Sequence, residues 1–190
     1  MNPWKLRNYM RSDYIHGWLD KQLAKYLLDG MGLVTFRNEL SLVVFRKYGT
    51  IEDLGVVSRR VVTTQFVNHL AAELASADAT FNTYKYHGFG IVSTTPPAIT
   101  DTGLESEVTD NVGGNPDRGT GTQVASTNTY TSVGTVVFNT TRSVVEHGLF
   151  NKLYGVAGEK LMDRHTFTAI AVEAGDSIQS TYVLTCTAGG

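Results

Sequence analysis

The sequence feature that most constrains the fold is a strict alternation of side chains between residues 177 and 187. Apolar or small side chains occupy every second position, from Ile178 through Tyr182 to Cys186, and the positions between them are polar except for Val183. Successive side chains of a β-strand point to opposite faces of the sheet, so a period of two predicts a half-buried antiparallel strand. The apolar face of this strand requires a second layer to cover it.

Other segments rich in β-branched and aromatic residues predict further strands. They are residues 40–48, 56–62, 81–93 and 129–140, and two apolar runs between 143 and 165. About seven to nine strands with two helices early in the chain predict a mainly β (α+β) fold. We therefore expect an antiparallel β-sandwich or barrel-like domain with N-terminal helices.

Two segments have helical periodicity. In residues 12–29, apolar side chains recur at spacings of three and four, which predicts an amphipathic helix. A second helix is predicted near residues 64–76, with Thr63 or Thr64 as its N-cap. The sequence thus divides into residues 1–39, an N-terminal arm with an amphipathic helix, and residues 40–190, a β-rich domain.

The β-rich part contains a long segment without clear periodicity, near residues 98–128. A loop of this length is uncommon in a compact domain unless it has a function. Two interpretations are open: a binding or inter-subunit loop, and a surface excursion with one short strand around residues 120–125.

Four large aromatic residues near the N-terminus are candidates for partner binding. Trp4 and Tyr9 lie among basic residues in the arm, while Tyr14 and Trp18 lie on the apolar stripe of the first predicted helix. Large aromatic side chains commonly dominate protein interfaces. The alternative for the arm is that Trp4 packs against its own domain.

The composition argues against several partner classes. A net charge of −2 gives no general attraction to nucleic acid, and the adjacent pair Arg59 and Arg60 is typical of a solvated or ion-paired face. No apolar run approaches the ~20 residues of a membrane span, and the N-terminus does not resemble a signal peptide. Cys186 is the only cysteine, so an internal disulfide is excluded and a reducing compartment is permitted. Charged residues make up 18% of the chain, below the usual ~25%, and neutral polar surfaces of this kind suit protein–protein packing.

One cluster of residues suggests a metal site or acid–base chemistry: Glu146 with His147, and Asp163 with Arg164 and His165. Neighbours in a strand point to opposite faces, so Glu146 and His147 are poorly placed to bind one ion together. No metal-binding His-Glu-x-x-His motif occurs, no Gly-x-Ser-x-Gly elbow occurs, and residues 113–121 lack the ending of a phosphate-binding loop. We therefore assign no catalytic, metal or cofactor-binding residue and expect no enzyme and no cofactor. A structural alternative is that a buried Glu146 accepts a charge-assisted hydrogen bond from Arg164.

Seven short strings occur in a characteristic order. They are LGVVSRRVVTT at 54–64, YKYHGFG at 84–90, DTGLE at 101–105, YTSVGTV at 130–136, EHGLF at 146–150, LMDR at 161–164 and GDSI at 175–178. In this order they resemble a family of small proteins encoded among the structural genes of tailed bacteriophages. The resemblance covers residues 54–187, about two-thirds of the chain.

The resemblance implies a virion structural protein, made in the host cytoplasm. The preferred role is a capsid decoration or cement protein, a homotrimer on the outer capsid surface that binds and stabilises the shell of the major capsid protein. In this role neither nucleic acid nor membrane is a partner. The alternative is a structural protein of the tail, neck or a fibre. The N-terminal third departs from the resemblance, and we expect this part to contact the capsid protein.

Overall fold

The computed structural model describes residues 35–60, 62–74, 81–111 and 116–187, which fold into two antiparallel β-sheets. Residues Phe36–Thr185 form one compact unit. The strands are β1 (Thr35–Phe45), β2 (Ile51–Ser58), β3 (Tyr86–Gly90), β4 (Gly119–Thr120), β5 (Thr122–Ser126), β6 (Thr129–Val137), β7 (Arg142–Phe150), β8 (Leu161–Val172) and β9 (Ser177–Thr187). Sheet A has the order β2-β1-β9-β6-β5, and sheet B has the order β4-β3-β7-β8.

The two sheets bury a shared apolar core. Leu40, Leu42 and Ile178 of sheet A pack in one cluster with Phe89 and Val172 of sheet B. Burying each such side chain contributes about 1.5–3 kcal/mol to folding. The predicted alternation of the last strand is confirmed, because every second residue of β9 from Ile178 to Leu184 is buried. The mainly β, sandwich-like class predicted from the sequence is confirmed.

The two long edges of the sandwich differ. On one side the chain runs from β4, which pairs with β3 of sheet B, directly into β5, which pairs with β6 of sheet A. The change of sheet occurs at Gly121, whose amide still donates to the carbonyl of Lys85 at 2.7 Å. On the other side β2 and β8 do not pair in the described ladders, and an apolar cleft of about 290 Å³ lies between them. The fold is therefore closed like a barrel at one edge and open like a sandwich at the other.

The second predicted helix is confirmed as α1 (Thr64–Leu74). Thr63 caps it, since its hydroxyl accepts from the amide of Phe66 at 3.2 Å and donates to the carbonyl of Leu161 at 2.6 Å. The buried face differs from the predicted stripe: Val67 is exposed, while His69 is buried. The first predicted helix, residues 12–29, lies outside the described residues.

The two predicted strands that precede the helix begin earlier than expected. The first begins at Thr35 rather than residue 40, and the second begins at Ile51 rather than residue 56. The turn itself is tighter, closed by the amide of Arg46 on the carbonyl of Thr50 at 2.8 Å, with Gly49 at φ 91°. Gly55 lies within β2, where the β1–β2 register shifts, so it marks a bulge.

The segment 81–93 is also not one strand. It begins with a short 3₁₀ helix, Phe81–Thr83, and only Tyr86–Gly90 extends as β3.

The long segment after β3 folds over the outer face of sheet B. Gly90 forms a bridge with Glu107, and the amide of Val108 donates to the carbonyl of Phe89 at 2.8 Å. Val108 enters the core with 1% exposure. The short strand expected near 120–125 corresponds to β4 and β5. Much of this segment is therefore a cover for the sheet, and the cover determines the surroundings of the polar cluster described next.

Candidate functional site

Residues from several of the seven strings meet on sheet B and form two polar layers on its opposite faces. The outer layer centres on Arg164 of β8, and the inner layer is a row of three histidines that faces sheet A. Both layers are buried: Glu146, His87, His147 and His165 are each 0% exposed, and Arg164 is 3% exposed.

In the outer layer, Arg164 joins sheet B to the covering segment. Its Nη2 donates to Glu146 Oε1 at 2.8 Å and to Glu105 Oε1 at 2.7 Å, while Nη1 donates to Asp101 Oδ2 at 3.1 Å. The amide of Glu105 also donates to Glu146 Oε2 at 3.1 Å. The predicted bond between Glu146 and Arg164 is therefore present, and it extends to two further carboxylates from the DTGLE string.

The glycines of the neighbouring strand allow this close cover. A Cβ at Gly90 would lie 3.1 Å from both Glu146 Oε2 and the carbonyl oxygen of Ser106. A Cβ at Gly88 would lie 2.5 Å from Glu107 Oε1. These glycines therefore mark positions where the backbone of the covering segment approaches β3 closely.

The inner layer is a row of imidazoles, called here the histidine row: His87 on β3, His147 on β7 and His165 on β8. Ring centroids are 5.2 Å apart between His87 and His147, and 6.2 Å apart between His147 and His165. Strand pairing produces the row, because His147 is directly opposite His165 and lies diagonal to His87. Phe89 packs edge-on against His147 with a centroid distance of 5.2 Å.

Polar groups lie at both ends of the row, two serines of sheet A at one end and Asp163 of sheet B at the other. At one end, His87 Nε2 lies 2.8 Å from Ser132 Oγ, and His87 Nδ1 lies 2.7 Å from Ser180 Oγ and 3.0 Å from His147 Nε2. At the other end, His165 Nε2 lies 3.3 Å from Asp163 Oδ2, outside the alignment of a hydrogen bond. Asp163 Oδ2 also accepts from Tyr182 at 3.3 Å and from the side-chain amide of Asn38.

Burial governs the ionisation of these groups. Desolvation lowers the pKa of His87 to about 3 and lowers the pKa of His147 well below its ordinary value, with the neighbouring histidines adding to the second shift. Desolvation also raises the pKa of Asp163 and of Glu146, against the opposing effect of their hydrogen-bond donors. His87 and His147 are therefore neutral at pH 7 in the folded protein.

The arrangement fits structural roles for the residues that suggested chemistry. Glu146 and His147 point to opposite faces of β7, as strand geometry predicted, and belong to different layers. Among the described residues, no group of three or more histidine, cysteine, aspartate or glutamate side chains is arranged to hold a metal ion. Cys186 is half-buried in β9, and burial raises the pKa of its thiol.

A second buried arginine fixes the β7–β8 loop, residues 151–160. Arg118 stacks on the ring of Phe150 at 3.4 Å, donates twice to Glu107, and donates to Glu159 Oε2 and to the carbonyl of Lys152. Asn151 and Lys160 close the base of the loop through two hydrogen bonds. The loop thus holds three apolar side chains at its surface, each 42–47% exposed: Leu153, Tyr154 and Val156.

The four candidate partner-binding residues, Trp4, Tyr9, Tyr14 and Trp18, lie outside the described residues. Arg59 and Arg60, expected within a strand, follow β2 directly, and Arg59 pairs with Glu39 at 2.7 Å on the surface. No helix among the described residues has the length and apolarity needed to cross a membrane.

Sequence reasoning missed the histidine row. Two of its histidines lie in two of the seven strings. The three imidazoles lie side by side only because β3, β7 and β8 pair, and no single string indicates that pairing. The useful signal was the pattern of small partners: Gly134 and two serines on strands β6 and β9 provide the space and hydroxyls that imidazoles need.

Comparisons of the chain with protein-family profiles, with characterised proteins and with solved structures gave no match.

Proposed function

We propose that this chain is a structural protein of a tailed-bacteriophage virion, most specifically a capsid decoration protein. It binds the outside of the shell formed by the major capsid protein and stabilises that shell. The observation that supports the proposal is that the histidines, Glu146 and Arg164 lie inside the fold. Glu146, Arg164 and the histidine row are buried, and Arg164 pairs with Glu146, as expected of fold determinants in a binding protein.

The surface offers contacts of the kind that a shell-binding protein needs. The β7–β8 loop presents Leu153, Tyr154 and Val156 on a support held by Arg118 and by the Asn151–Lys160 bonds. A loop already fixed in its bound conformation loses little entropy on binding. Together with the aromatic N-terminal arm, it would give several small contacts per subunit, and repeated contacts on a shell combine by avidity.

The decisive measurement is the copy number of the protein in purified particles, relative to the major capsid protein, by quantitative mass spectrometry. Hundreds of copies per particle support a decoration protein. A few to a few dozen copies would instead favour the tail, neck or a fibre, and absence from particles would contradict a virion role. An image reconstruction of the particle would then locate the protein and test the homotrimer at local threefold positions.

The contact surfaces are tested by co-sedimentation with shells that lack the protein. We expect deletion of residues 1–11, and separately the double substitution Leu153→Ser with Tyr154→Ser, to weaken binding while the domain stays folded. Val124→Ser is the matched control, because Val124 is an exposed apolar residue on the edge strand β5 and is not part of the loop. If the truncated chain binds as well as the full chain, the arm is not a contact; the same outcome for the double variant would exclude the loop.

A further inference from the structure

The histidine row places three bases beside a single acid in the interior of the sandwich. Among the described residues, Asp163 is the one carboxylate that faces the row. The other described groups that line the row come from β1, β3, β6 and β9, and they are Asn38, Phe89, Ser132, Ser180 and Tyr182. Among these five, only Tyr182 is ionisable. Glu146 and Arg164 lie on the opposite face of sheet B and are paired with each other. Asp163 thus lies beside His165, whereas no carboxylate of the described residues lies beside His87 or His147.

The contact between His87 and His147 limits protonation further. The two nitrogens, Nδ1 and Nε2, are 3.0 Å apart, and a hydrogen bond at that distance needs one proton between them. If both rings were doubly protonated, two N–H groups would face each other. Ser132 and Ser180 are hydroxyls and cannot neutralise the added charge, and no water-exposed side of either ring is available, since both residues are 0% exposed.

The two sheets come together tightly over the row. A Cβ at Gly134 of β6 would lie 2.4 Å from His87 Cδ2, and one at Gly121 would lie 2.8 Å from His87 Nε2. A charged imidazole can therefore be hydrated only if the sheets separate.

We propose that the histidine row is an acid-sensitive lock between the two sheets, closed while its imidazoles are neutral and progressively weakened as the pH falls below about 6, the range in which free histidine titrates. The direction of this pH dependence follows from the difference in proton binding between the folded and unfolded chains. In the unfolded or opened chain each histidine takes up a proton near pH 6.5, whereas His87 and His147 resist protonation in the closed fold. Stability is therefore lost as the pH falls through that range. This inference does not depend on the virion assignment.

The direct test is the equilibrium constant for urea unfolding between pH 7.5 and pH 5. We expect the unfolding equilibrium constant K to increase as the pH falls. Near pH 5, K should rise about a hundredfold per pH unit, which corresponds to about two protons taken up per molecule on unfolding. His147→Gln, which keeps an amide near His87 but does not titrate, should reduce the slope to about one proton, or about tenfold per pH unit. His69→Gln is the comparison variant, because His69 is buried against Tyr84 and lies 3.1 Å from the carboxylate of Glu73, outside the row. A slope reduced by His69→Gln as much as by His147→Gln would show that the loss is not specific to the row.

Two outcomes of the unfolding experiment would overturn the lock: stability independent of pH between 7 and 5, or a slope unchanged by His147→Gln. If His147→Gln does not fold at pH 7.5, NMR of the histidine side chains in the unmodified protein decides. Rings of His87 and His147 that stay neutral at pH 5.5 in the folded protein support the lock, and rings that titrate near pH 6.5 without loss of structure exclude it.

Discussion

Glu146 and His147 are adjacent in the chain but belong to opposite faces of β7 and to different chemistry. Glu146 accepts from Arg164 at 2.8 Å under the covering segment, whereas His147 lies 3.0 Å from His87 between the sheets. The backbone of one strand separates an ionic layer from a neutral one. Glu146, Arg164 and the three histidines are buried, so substitutions at these residues should affect stability more than substitutions at surface ion pairs.

The ionic layer predicts a large cost for removing its cation. Arg164→Met should destabilise the protein by about 3–5 kcal/mol, because Glu146 would remain buried without its partner. Arg59→Met, which breaks a surface pair with Glu39, should cost about 0–1 kcal/mol. Urea unfolding at pH 7 measures both, and equal effects of the two substitutions would show that the buried cluster has no special role.

Tight packing over the histidine row predicts that Gly134→Ala is destabilising. The added methyl group would lie 2.4 Å from His87 Cδ2, so His87 or strand β6 must shift, which typically costs about 1–3 kcal/mol. Gly103→Ala serves as the control, since a methyl group added there would have no atom of the described residues within 4 Å beyond its chain neighbours. Thermal unfolding should show a lower Tm for the first variant only. An unchanged Tm for Gly134→Ala would show that His87 or β6 moves aside for the methyl group at little cost.

The cap of α1 gives a third prediction. Thr63→Ala should cost about 0.5–2 kcal/mol, because it removes the acceptor of the Phe66 amide and the donor to Leu161. Thr63→Ser retains the hydroxyl and should recover most of the loss in the same unfolding assay. Failure of serine to rescue would indicate that the threonine methyl group, rather than the hydroxyl, matters.

The turn between β8 and β9 predicts a separate loss of stability at lower pH. Asp176 accepts from the amides of Glu173 and Lys47 and from Arg46, and these donors hold its pKa below the ordinary value. Its contribution is present above the unfolded pKa of about 3.9 and is lost as the pH falls through the lower folded value.

Asp176→Asn should therefore lower stability at pH 7 and flatten its dependence on pH below about 4, the range in which free aspartate titrates. The histidine-linked slope between pH 6.5 and 5 should remain. Asp53→Asn, at an exposed position in β2, is the control. A variant with the same low-pH slope as the unmodified chain would show that Asp176 does not carry this dependence.

The sequence allowed the strands with regular alternation to be predicted, and it allowed the bond between Glu146 and Arg164 to be anticipated. Both depend on local geometry: side chains alternate along a strand, and a buried carboxylate needs a donor. The boundaries of β2 were wrong because Gly55 signals a bulge as readily as a turn. The histidine row was missed because strand order brings together residues that are far apart in the chain.

The unequal edges of the sandwich have a consequence for how the molecule comes apart. The continuous β4–β5 segment holds both sheets at one side through backbone hydrogen bonds, whereas β2 and β8 meet across a cleft lined by side chains such as Leu54 and Phe167. We therefore expect the sheets to separate by rotation about Gly121, with the gap opening first between β2 and β8. Amide protons of β2 should exchange with solvent before those of β3 and β6, and the rings of the histidine row would be wetted in sequence, His165 first and His87 last.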